Sequence, residues 1–218
     1  MGSPDSDKPD PERDPWACVG RVLLWFVALC VLLALAPLAH AQTIPREAQR
    51  YQLTLKREAQ RTWGLQAPVA NFAAQVHAES RWRADAKSPV GAQGLAQFMP
   101  ATADWIGGLY GSLGERAPYN PTWALRALVV YDKWLFDRIK AVDPCEQMAF
   151  ALSAYNGGLG WVQKRQKISP TPGVCLDATC DINPGIKAAN QRENQQYPQK
   201  ILRTFTPLYA SWGPGACT

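Results

Sequence analysis

The sequence predicts a mainly α-helical single domain behind an N-terminal apolar export segment, and three observations predict it. Beyond residue 42, apolar residues recur at helical spacing between loops marked by Gly and Pro. No run of alternating apolar and polar residues there is long enough to suggest a sheet. Ahead of that region, residues 22–36 form an uncharged apolar run preceded by Arg21 and closed by Pro37. A chain of 218 residues is long enough for one domain with a proper core plus such an extra segment.

Residues 1–21 are a polar leader in which Asp5, Asp7, Asp10, Glu12 and Asp14 outweigh Lys8 and Arg13. Residues 22–41 read as a signal peptide: the apolar run is short for a membrane span, and Ala39-His40-Ala41 sets small residues at a cleavage position before Gln42. The acidic leader departs from the basic start of a signal peptide, so an uncleaved membrane anchor over residues 16–39 is the alternative. Either reading exports the remainder. Residues 42–66 hold a polar, basic N-terminal helix over 46–63 that ends at Gly64, and residues 67–218 hold the main domain. Pro68 starts a helix carrying Val69, Phe72, Ala73, Val76 and Glu79. Pro100 and Pro121 sit at first-turn positions of helices over 101–109 and 121–139, the second with Leu125, Leu128, Val129, Trp134 and Leu135 at helical spacing. Residues 145–155 form a nearly all-apolar, central helix, which Gly157, Gly158 and Gly160 break before a short helix over 161–167. Residues 169–184 have loop composition. A last helix covers 194–212, with Pro198 marking its proper start.

Of 23 Lys and Arg and 18 Asp and Glu, the leader and apolar run take three and five, which leaves residues 42–218 at +7. That balance suits a polyanionic surface such as a cell wall. The basic residues are spread from Arg46 to Arg203 with no stripe interleaved with aromatics, which argues against a nucleic-acid module. Two of six cysteines precede residue 42, leaving Cys145, Cys175, Cys180 and Cys217. In an oxidising compartment four cysteines form two disulfides with three possible connectivities; Cys175 with Cys180 and Cys145 with Cys217 is the favoured one. No metal or cofactor is expected, since His77 is the only histidine after residue 42 and no Cys-x-x-Cys pair is present.

Glu79 is the residue most suggestive of chemistry. It leaves an apolar helix with Phe72, Ala73, Ala74 and Val76, so partial desolvation should favour its neutral, proton-donating form. Behind it runs Ser88-Pro89-Val90-Gly91-Ala92-Gln93-Gly94-Leu95-Ala96-Gln97-Phe98-Met99-Pro100. With Glu79-Ser80 this segment resembles the catalytic core of the soluble lytic transglycosylases, goose-lysozyme-like enzymes that cleave bacterial peptidoglycan. Ala154-Tyr155-Asn156-Gly157-Gly158 and the stretch from Glu193 to Tyr197, followed by Ile201-Leu202, resemble two further family motifs in the right order.

The resemblance implies a goose-type lysozyme-like fold with its catalytic domain in residues 67–218, and a single catalytic acid at Glu79. It implies substrate contact at Ser88, groove lining by Gln97 and Met99, a helix-end pair Tyr155 and Asn156, and a closing pair Glu193 and Tyr197. Glycines 91 and 94 would let backbone approach a sugar chain, Gln97 would offer it a donor and an acceptor, and Trp82 would be core or a sugar-stacking ring. Asp85 and Asp104 match no catalytic position. The implied partner is peptidoglycan glycan, and the implied reaction is non-hydrolytic cleavage to 1,6-anhydro ends, in wall remodelling, a secretion apparatus or phage lysis. A hydrolytic muramidase of the same fold and a non-catalytic wall-binding protein are the alternatives. Pro198 after the closing tyrosine and the stretch 119–123 depart from the family pattern.

Overall fold

A computed structural model describes residues 43–217; the expected leader and export segment lie outside the described residues. Eight α-helices carry this part, and no strand longer than an isolated bridge occurs among the described residues. The expected first helix is broken in two, α1 (Arg46–Gln49) and α2 (Gln52–Trp63). The break falls at Arg50 and Tyr51, where burial of Ala48 and stacking of the Tyr51 ring on Trp82 at 6.2 Å override the helical pattern. Gly64, at φ 83°, ends α2.

Two helices form the centre. In α3 (Val69–Ser80) every residue from position 69 to 76 is buried, and in α6 (Pro144–Gly157) every residue from 148 to 154 is. Around them pack α2, α5 (Pro121–Phe136), α7 (Leu159–Ile168) and α8 (Ala188–Gln199), while α4 (Pro100–Leu109) packs on α5. Asn120 caps α5 by accepting from the N–H groups of Thr122 and Trp123, and Asp143 caps α6 through Glu146 N–H at 2.8 Å. The sequence extends α5 to residue 139, whereas it stops at Phe136. There Gln147 Nε2 donates to the carbonyls of Phe136 and Ile139 at 2.8 and 3.0 Å, satisfying the open end. α2 belongs to the same core, since Leu55 and Ala59 are fully buried and Trp63 Nε1 donates to Val129 O at 2.8 Å.

The C-terminal helix corrects the sequence reading. It begins at Ala188, ten residues before Pro198, which sits inside its last turn. Having no N–H to give the preceding turn, proline weakens the ladder there. The chain passes into a π-helical turn, Lys200–Phe205, and a 3-10 segment, Thr206–Trp212, with Thr206 Oγ1 donating back to Ile201 O at 2.8 Å. Both disulfides pair as favoured, Cys145 with Cys217 and Cys175 with Cys180. No helix among the described residues is long and apolar enough to cross a membrane.

Candidate active site

Glu79 stands on the last turn of α3, and the turn after it is unusual. Arg81 and Trp82 both take left-handed backbone, φ 52° and 66°, which side chains bearing a Cβ adopt at a cost of about 1 kcal/mol each. Trp82 shows what holds them there. It is 1 % exposed, and its Nε1 donates to Tyr209 Oη at 2.7 Å, while that hydroxyl lies 2.9 Å from His77 Nδ1. Burial lowers the pKa of His77, which favours a neutral ring whose Nδ1 accepts from Tyr209. Trp82 is therefore a core anchor of the turn, out of reach of a sugar.

The loop from Arg83 to Met99 folds back over Glu79. Gly94, at φ 72°, packs so closely that a Cβ would lie 1.8 Å from Pro118 O. The glycine expected to admit a sugar instead admits the protein's own backbone. Gln97, at φ 46°, gives its Nε2 to Ala86 O and Gly94 O at 3.2 and 2.9 Å, so the donor half of its amide pins the loop rather than awaiting substrate. It caps no helix. Ser88 Oγ accepts from Ala92 N–H at 2.9 Å and keeps its own proton to donate.

A cleft of about 280 Å³ opens over this loop. Seven of the eight expected positions line it: Glu79, Ser88, Gln97, Met99, Tyr155, Asn156 and Glu193. Tyr197 completes the set from behind by donating its hydroxyl proton to Glu79 Oε1. Met99, 42 % exposed, belongs to the cleft wall and not to the core beneath it. Tyr155 donates to Ala96 O at 2.7 Å, so it ties the loop down while presenting its ring. The sequence reading passed over Thr102 and Tyr131 in the wall; Val90, Ala92 and Phe98, which also line it, lay within the quoted motif. Tyr131 on α5 was discoverable only as an aromatic beside the apolar stripe of that helix.

Asn156 and Glu193 are fixed by a buried network. Asn194 Nδ2 donates to Ser153 O and Asn156 Oδ1 at 2.8 and 2.9 Å, and Asn156 Nδ2 donates to Glu193 Oε1 at 3.3 Å. Beneath them the fully buried Arg165 donates to Asn194 Oδ1 and Gln191 Oε1, both at 2.7 Å. A Cβ on Gly157 would fall 2.5 Å from Asn194 Nδ2, so a side chain there would push the Asn194 amide out of this network. A second cavity of about 240 Å³ shares Asn156 and Glu193 with the first and runs on past Trp161, extending the cleft.

Burial raises the Glu79 carboxyl to about 7; the Tyr197 hydrogen bond opposes this, the neighbouring Glu193 adds to it, and Lys200 opposes it. Tyr197 itself is pushed well above 10, chiefly by burial, and so remains a donor. A single carboxyl poised between acid and base forms at neutral pH can give a proton and later take one back. Tyr197→Phe removes the bond that favours the ionised form, so the pH midpoint of any Glu79-dependent activity should rise by about one unit. A pH-rate profile checks this, and an unmoved midpoint would show that the bond does not tune Glu79. Asp85 is exposed, and Asp104 is paired with Arg116 at 3.2 Å, both away from the cleft wall.

Helices packed around a central carboxyl-bearing helix whose end opens into a cleft accord with the lysozyme-like fold that the resemblance implies. The model of the Transglycosylase SLT domain matches residues 54–173, more than half of the chain, and the chain belongs to that family. Glu193 and Tyr197 lie beyond the matched span. Among similar curated proteins, membrane-bound lytic murein transglycosylase F of Shewanella pealeana is 25 % identical over 159 residues, 72 % of this chain and 31 % of that protein. The Vibrio cholerae protein of the same name is 26 % identical over 151 residues, 69 % of this chain and 26 % of that one. The chain thus spans less than a third of the length of these relatives. Lytic transglycosylase Slt from Pseudomonas aeruginosa superposes with a TM-score of 0.62 at 23 % identity, over 89 % of this chain and 29 % of that one. The 70 kDa soluble lytic transglycosylase of Escherichia coli gives 0.55 at 19 %, over 96 % and 38 %. These two likenesses show the fold.

Proposed function

We propose that this protein is a peptidoglycan lytic transglycosylase in which Glu79 acts first as acid and then as base. The observation that carries the proposal is a half-buried carboxyl, raised to about 7, facing a cleft that shares Asn156 and Glu193 with a second cavity. Protonated Glu79 gives its proton to the glycosidic oxygen between MurNAc and GlcNAc as the bond to the anomeric carbon breaks. The N-acetyl carbonyl of the same MurNAc stabilises the positive charge that develops there. Ionised Glu79 then takes the proton of the MurNAc 6-hydroxyl, whose oxygen bonds to the anomeric carbon and closes a 1,6-anhydro ring. Attack within one sugar gains a large effective concentration and consumes no water.

A second reading has a specific observation behind it. Glu193 also lines the cleft, and a hydrolase of this kind uses two carboxyl groups, the second activating water or attacking the sugar. The products decide between the two. Digestion of purified sacculi should release muropeptides with 1,6-anhydroMurNAc ends, measured by mass spectrometry; reducing MurNAc ends as the main product would establish a muramidase, and binding without release a wall-binding protein. Export to the periplasm or cell wall, by a cleaved signal peptide or a retained anchor, accords with the two disulfides and with the basic charge of residues 42–218.

A further inference from the structure

Of the three buried side-chain oxygen atoms that lack a hydrogen-bond partner among the described residues, two belong to side chains that already touch each other. Gln75 on α3 and Asp132 on α5 are both 0 % exposed, and Gln75 Nε2 donates to Asp132 Oδ1 at 3.3 Å. Left over are Gln75 Oε1 and Asp132 Oδ2. A carboxylate is an acceptor only, so ionised Asp132 would leave the amide oxygen unsatisfied and would bury a charge against one neutral donor. One proton repairs both faults. Placed on Oδ2, it makes that oxygen the donor the amide carbonyl needs, and each side chain then gives one hydrogen bond and receives one.

We propose that Asp132 is held protonated and pairs with Gln75 as a two-bond acid–amide brace that fixes the rotation of α3 one turn below Glu79. Gln75 and Glu79 are four residues apart, so they lie above one another on the same helix face. The charged or titratable groups that bear on Asp132 come from every side: Glu79 on α3, Tyr155 on α6, Tyr197 on α8, and Tyr131 on its own helix. All four are acids. Burial pushes the Asp132 carboxyl well above its ordinary range; the Gln75 bond opposes this, and the charge on Glu79 reinforces it. A neutral brace matters most when Glu79 gives up its proton, because a second negative charge close by would bind that proton more tightly to Glu79 and hinder its use as an acid. The brace stands on burial and the two leftover oxygens; its consequence for Glu79 rests on the reaction proposed above.

Asp132→Asn keeps the shape and replaces the O–H donor with an N–H, giving a pair that no longer titrates. For the wild type, the unfolded chain loses the Asp132 proton above about pH 4 while the folded chain keeps it, so stability falls as pH rises from there. The melting temperatures of variant and wild type should therefore coincide near pH 4 and separate as pH rises, the variant melting about 5 °C or more higher by pH 7. A variant less stable than wild type, with the gap widest near pH 7, would mean that Asp132 works as an anion and would overturn the proposal. Infrared spectroscopy gives an independent reading. At pH 8 the Glu79→Gln protein should show the carbonyl band of a protonated carboxyl group, and Glu79→Gln/Asp132→Asn should lack it; absence of the band from the first protein sinks the proposal even if the double variant does not fold. In the active protein Asp132→Asn should leave the pH midpoint of Glu79 unmoved, whereas a fall of about one unit would reveal a charge on Asp132. Stability and infrared readings need no turnover, so failure of the brace and failure of the proposed reaction are separable.

Discussion

Glu79→Gln is expected to lower anhydromuropeptide release from purified sacculi by about 10³-fold while leaving sacculus binding within roughly a factor of three. Glutamine fills the same volume and can still accept from the Tyr197 hydroxyl, so the cleft keeps its shape. What it lacks is the transferable proton, which is needed in both halves of the proposed reaction. The same substitution should stabilise the fold at neutral pH. Glu79 has a folded pKa of about 7 against 4.5 in a solvated chain, so between those values the unfolded state has lost the proton and the folded state has not. Stability contributed at low pH is lost across that window, and the ionised carboxyl above it is a net cost on the order of 2 kcal/mol. Glu79→Gln removes that cost, and calorimetry at pH 8 should find the variant melting several degrees higher. A variant that released anhydro products at the wild-type rate would remove Glu79 from the mechanism. One that was inactive but also less stable at pH 8 would mean that Glu79 holds the fold together.

The helices and the cleft were legible in the sequence for different reasons. Proline at positions 100, 121 and 144 and capping by Asn120 and Asp143 act within a few residues, so local pattern finds those helix starts to within one or two positions. Pro198 failed as a start signal because packing of α8 on α6 through Asn194 overrides the local preference of proline. The residues around Glu79 came from spaced motifs, and those motifs carried position better than role. Gly94 and Gln97 are used by the loop itself, and Trp82 is used by the core. Gln75 and Asp132 could have been noticed as polar residues in apolar helices. Their meaning lies in meeting each other across 57 positions of chain, which periodicity within one helix cannot report.

Removing the Cys145–Cys217 disulfide should cost more stability than any single change in the cleft. The bond closes a loop of 72 residues, and the loss of chain entropy in the unfolded state corresponds to about 4 kcal/mol, against about 2 kcal/mol for the five-residue separation of Cys175 and Cys180. Native contacts point the same way. The tail ahead of Cys217 lies on the start of α3, where Ala70 N–H donates to Pro214 O at 3.1 Å and Ala216 N–H donates to Asn71 Oδ1 at 2.6 Å. Cys145 sits in the first turn of α6. The disulfide thus ties together, through the tail, the far ends of the two helices whose near ends present Glu79 and the pair Tyr155 and Asn156. Cys145→Ala with Cys217→Ala should lower the melting temperature by roughly 10 °C, and Cys175→Ala with Cys180→Ala by about half as much. Turnover at 25 °C should fall far less than in Glu79→Gln, because the buried faces of α3 and α6 still hold the cleft. Equal losses from the two pairs would mean that the long loop does not set the effect. A marginal net stability of about 5–15 kcal/mol makes a loss of this size decisive on heating.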